Sequence, residues 1–65
     1  MSLERTEEVT FDGTPTELWA LAQLVKRIGW SDVRPLAVDK DETKVMISAL
    51  DRLAMGLANA GYAPR

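Results

Sequence analysis

The spacing of apolar residues changes period once along the chain. From Glu7 to Asp12 apolar Val9 and Phe11 alternate with Glu8, Thr10 and Asp12, the two-residue period of a half-buried strand. A single strand cannot satisfy its own backbone. The segment therefore either pairs with its counterpart in a second chain or lies extended against the rest of the fold.

After Gly13 the period becomes helical. Thr14-Pro15-Thr16-Glu17 supplies an N-cap hydroxyl, a proline at the first helical position and a glutamate three residues after the cap, which predicts a helix closed by a capping box. Leu18, Leu21, Ala22, Val25 and Ile28 share one face, with Leu24 at its edge. Gly29 is expected to end this helix in the left-handed conformation, with Trp30 following to pack on Val25. Ser31 or Asp32 then caps a short helix with Val33, Leu36 and Ala37 on its apolar side, in which Pro35 is tolerable if it lies in the first turn.

Asp39 or Asp41 caps a third and longest helix, with Glu42 early in it where negative charge suits the helix dipole. Met46, Leu50, Leu53 and Leu57 form its central stripe. Ile47, Ala54 and Ala58 widen the stripe on one side, and Val45, Ala49, Gly56 and Ala60 on the other. The resulting arc spans roughly 200°, against the ~100° that one contact needs, so this helix is expected to meet more than one neighbour. Gly56 inside it implies a second backbone approaching along the ridge of Ala49, Gly56 and Ala60. Gly61 should end the helix, with Tyr62 folding back over Leu57 and Pro64 blocking continuation. These elements predict an all-α, compact three-helix domain with two longer helices and one short. It spans residues 14–65 behind an extended or β N-terminal arm, residues 1–13.

Composition narrows the chemistry. The chain has 65 residues and neither cysteine nor histidine, which excludes disulfides and the usual zinc, haem and iron–sulfur ligands, so no cofactor is expected. A domain this small buries only about 60% of its unfolded surface and is expected to be marginally stable. No apolar run is long enough for a membrane span. The opening Met1-Ser2-Leu3-Glu4-Arg5 lacks the basic and apolar regions of a signal peptide, so the expectation is a cytoplasmic protein with no membrane contact.

The net charge of −2 favours neither a basic nucleic-acid binder nor a strongly acidic mimic of DNA. Acids cluster early, at Glu4, Glu7, Glu8, Asp12 and Glu17 against Arg5. Lys26, Arg27 and Arg34 form a basic group opposed locally by Asp32.

Asp39-Lys40-Asp41-Glu42-Thr43 spells D-x-D-x-T and resembles the nucleophile motif of haloacid-dehalogenase-like phosphatases. That chemistry needs a Mg²⁺ site and a lysine from later strands of an α/β domain, which this chain lacks, so the string is read as a helix cap. An EF-hand is excluded because Lys44 and Leu50 stand where the loop needs glycine and glutamate. No hydroxyl or lysine sits in a Gly-x-Ser-x-Gly or Ser-x-x-Lys setting, and neither enzymatic activity nor a small-molecule substrate is expected.

A strand followed by helices invites comparison with ribbon–helix–helix DNA binders. The groove-reading strand would be Glu7 to Asp12, whose acids would face phosphates. A helix-turn-helix would need a recognition helix beginning Lys40-Asp41-Glu42-Thr43-Lys44, which lacks base-reading arginines and amides. Two side chains fit the amphipathic scheme poorly. Trp19 lies away from the apolar face, beside Gln23 and Lys26, and is either a contact for a partner or covered by Val9 and Phe11 of the arm. Met55 lies on the polar side of the third helix.

The string Leu-Trp-Ala-Leu-Ala-Gln-Leu-Val-Lys-Arg-Ile-Gly-Trp-Ser-Asp-Val-Arg, from Leu18, and the ending Ala-Asn-Ala-Gly-Tyr-Ala-Pro-Arg resemble a group of short uncharacterised bacterial proteins found in phages, plasmids and integrated elements. The resemblance transfers no site. It implies a genetic setting in which small proteins block host defence complexes by covering a surface, as anti-CRISPR proteins do. The expectation is a non-enzymatic interaction protein, acting by steric occupation on another protein, such as a host defence or nucleoprotein complex, and able to form a homodimer. Its candidate contacts are Trp19, Glu7, Glu8, Asp12 and Met55. The alternative is a small dimeric DNA-binding regulator using Lys26, Arg27 and Arg34.

Overall fold

The computed structural model describes residues 4–64; residues 1–3, where the expected arm begins, and Arg65 lie outside them. Among these described residues three α-helices follow an extended arm, in the order α1 (Pro15–Arg27), α2 (Trp30–Val33) and α3 (Lys40–Asn59), with a 3-10 turn at Arg34–Leu36 between the last two. Among the described residues no segment forms a strand, and the arm up to Gly13 is exposed throughout.

Helix α1 starts as its sequence dictates. The Glu17 amide donates to Thr14 Oγ1 at 3.2 Å, and the Thr14 amide donates to Glu17 Oε1 at 2.9 Å, so each side chain satisfies the other residue's amide, which lacks a helical partner. The bond from the Thr14 backbone, helped by its hydroxyl, holds the Glu17 carboxyl below the usual carboxylate value.

The end of α1 departs from the expectation. Ile28 is the C-cap, its N–H donating to Leu24 O at 3.0 Å, and Gly29 follows it as expected but does not take the left-handed conformation. Gly29 is extended, with φ −127°, and serves as the N-cap of α2, so neither Ser31 nor Asp32 takes that role. Asp32 acts from inside the turn, its Oδ2 accepting from the Gly29 amide at 2.9 Å. A carboxylate that captures the Gly29 amide favours an immediate second helix over a reversal of the first. Trp30 thereby becomes the first residue of α2 rather than a closing residue of α1. Pro35 is also displaced, since it sits in the 3-10 turn instead of the first turn of an α-helix.

Asp39, the first Asp of the D-x-D-x-T string, caps α3. Its Oδ1 accepts from the Glu42 amide at 2.8 Å, while Glu42 Oε1 accepts from the Val38 amide at 2.8 Å. Thr43 completes the string and is fully buried, its hydroxyl donating to Asp39 O at 3.0 Å. At the far end the Gly61 amide donates to Ala58 O at 3.0 Å and the Tyr62 amide to Leu57 O at 2.8 Å, the paired bonds of a Schellman ending. Gly61 has φ +100°, where a side chain would be strained.

Helices α1 and α3 pack together, and α2 with the 3-10 turn packs against α3. The expected breadth of α3's apolar arc is thus used by two neighbours. The core is built on Ala22, Val25 and Leu57, ringed by Leu18, Leu21, Leu50, Leu53 and Tyr62. This is one compact helical unit, yet it leaves much surface uncovered. The accessible area is 5710 Å² for 7.2 kDa, whereas folded monomers of that mass show about 4100 Å². The radius of gyration is 13.0 Å, against about 11 Å for a self-contained domain of this length.

Candidate interaction surface

Two features of the packing bring uncovered apolar groups together. The first is built by the ending of α3. Because Gly61 reverses the chain, Tyr62 folds back onto the core cluster and meets Trp19 edge-on, with ring centroids 5.2 Å apart and planes at 72°. Trp19 is therefore supported by the C-terminal ring and keeps 43% of its surface exposed. Its aromatic partner is Tyr62, not the arm.

The second feature is a groove of about 630 Å³ between the arm and one flank of α3. Glu7, Val9, Thr10 and Phe11 form one wall, Ala49, Arg52, Leu53, Gly56 and Ala60 the other, with Leu18, Leu57 and Tyr62 at the base. The arm stands along this groove without filling it, since Val9 remains 83% and Phe11 54% exposed. The ridge of small residues on α3 faces the groove as its sequence position implies. However, a Cβ built on Gly56 meets nothing within 4 Å, so among the described residues no other backbone makes the approach that the glycine permits.

The charged candidates divide by location. Glu7 lines the groove, Glu8 and Asp12 lie exposed on the arm, and Arg52, which the charge pattern did not single out, stands on the opposite wall. The signal for Arg52 was its place beside Ala49, Leu53 and Gly56 on the helical wheel. Lys26 and Arg27 are exposed in the last turn of α1, where their charge suits the helix dipole, and Arg27 donates to Gln23 Oε1 at 3.3 Å. Arg34 is half-buried in the 3-10 turn. Met55 is 66% exposed and lines neither the groove nor the core.

Among the described residues no cluster of acidic side chains is arranged to hold a metal ion, and no helix is long and apolar enough to cross a membrane. The nucleophile-like string is spent on capping, because Asp39 and Thr43 bond to their own helix end. The arrangement defines a small three-helix domain with uncovered apolar flanks. It belongs to a family of unknown function (DUF7706), whose family model matches residues 1–65. No curated protein and no solved structure matches it.

Proposed function

We propose that the chain is a small, non-enzymatic protein-interaction module that acts by covering a surface of another protein. The observation that carries this reading is the surplus of accessible surface, roughly 1600 Å² beyond the expectation for a self-contained monomer of this mass, with Val9, Phe11, Trp19 and Met55 among the large apolar side chains left open. Large apolar side chains left open to water are costly there, and where they lie together they mark an interface. Steric occupation needs no chemistry of its own. It suits a mobile-element protein directed at a host defence or nuclease complex, the form of the reading we favour. Trp19 is its anchor: it is large, it is held in orientation by Tyr62, and it is open to a partner.

The test is isolation at native expression level from cells that encode the chain, with crosslinking in place before lysis. The reading expects a different protein recovered in stoichiometric amount and largely lost with Trp19→Ala. Recovery of the chain without such a partner would refute it. Binding to duplex DNA that weakens tenfold or more between 50 and 200 mM salt would instead support the regulator reading through Lys26, Arg27 and Arg34.

A further inference from the structure

We infer that the groove between the arm and α3 is the interface of a two-fold symmetric homodimer. This rests on reading the chain as an interaction module and assigns the groove to a second copy, leaving Trp19 for the outside partner. Three observations converge on that occupant. First, the groove is open and apolar along its length, with Val9 83% and Phe11 54% exposed on the arm beside Ala49, Gly56 and Ala60 of α3. Next, a two-fold axis midway between Leu53 and Gly56 runs two α3 helices antiparallel with Ala49 of one copy against Ala60 of the other. The same operation seats Leu53 of each copy over Gly56 of the other, filling the open space beside Gly56 that no other described element occupies.

The third observation is charge. The groove carries one carboxylate and one guanidinium on facing walls, Glu7 and Arg52, both exposed and neither ion-paired among the described residues. An isologous contact requires a patch complementary to itself, and one acid with one base meets that requirement. Glu7 of each copy then faces Arg52 of the other.

The experiment is sedimentation of the purified full-length chain from 10 μM to 1 mM, with three variants. Wild type is expected at twice the 7.2 kDa chain mass. Glu7→Arg and Arg52→Glu each place two like-charge pairs in the dimer and weaken it by roughly thirtyfold. Mixing the two single variants makes both pairs attractive in a heterodimer and restores wild-type affinity, which no interaction within one chain can do. Gly56→Lys is expected to abolish the dimer while raising the helicity of the monomer, because its Cβ meets nothing in the chain itself. A wild-type chain monomeric at 1 mM, or variants that dimerise normally with no gain on mixing, would overturn the inference. Capture of an outside protein by a chain that stays monomeric would leave the proposed function standing and this inference overturned.

Discussion

Gly61→Ala tests whether the reversal after α3 holds the domain together. Gly61 has φ +100°, and an alanine held in left-handed backbone costs about 1–2 kcal/mol. The alternative is to unwind the last turn. That forfeits the bonds from Gly61 to Ala58 and from Tyr62 to Leu57, at about 1 kcal/mol each, and undocks Tyr62 from the core and from Trp19. Retained strain is the cheaper route, so the expected loss is about 1–2 kcal/mol, with a Tm lower by roughly 5–15 °C for a domain of this size. Thermal unfolding followed by far-ultraviolet circular dichroism, at one fixed protein concentration, reads the shift. Gly56→Ala is the internal contrast. Its φ is not positive and its Cβ has open space, so in the dilute monomer it should stabilise by up to about 1 kcal/mol. Unchanged melting of Gly61→Ala, or shifts of the same sign in both variants, would refute the reasoning.

Other substitutions probe the core, the caps and the aromatic contact. Leu57→Ala empties the largest side chain of the buried core cluster and should cost about 2–5 kcal/mol, enough to abolish the cooperative melt. Thr43→Val keeps the buried shape, and Asp39 O still accepts from the Thr43 amide position at 3.1 Å, so its cost in chemical denaturation should stay below about 1.5 kcal/mol. Because the folded Glu17 carboxyl lies below its ordinary value of 4.5, its stabilisation is full above the unfolded value and is lost as pH falls through the folded one. Helix content should therefore fall more steeply in acid for wild type than for Glu17→Gln, and identical acid profiles would contradict the capping box. Trp19→Ala should remove the near-ultraviolet dichroism of the Trp19–Tyr62 pair at a cost of about 1 kcal/mol.

Local signals that do not depend on distant contacts were legible in the sequence. The Thr14–Glu17 box, the α3 cap, open between Asp39 and Asp41 in the sequence and taken by Asp39, and the Gly61–Tyr62 reversal are each complete within a few residues. The junction at Gly29 was misread because a glycine after a helix serves equally as a left-handed ending or as the cap of a following helix. The Asp32 carboxylate decides for the second. Thr43 escaped the core reading because its hydroxyl marks it as polar, although its position one turn before Met46 and Ile47 points inward and Asp39 O satisfies it there. Trp19 could be recognised as off the main apolar face, but its contact with Tyr62 joins residues far apart in sequence. The groove likewise depends on where the arm lies against α3, which no local pattern encodes.

The central claim is that the open flank of α3 and the arm form an interface. Carbene footprinting, applied to the purified chain at high dilution and to the chain in its native assembly, measures that most directly. Val9, Phe11, Ala49 and Leu53 are expected to label heavily when dilute and to be protected in the assembly. Equal labelling of these four positions in both states would contradict the account.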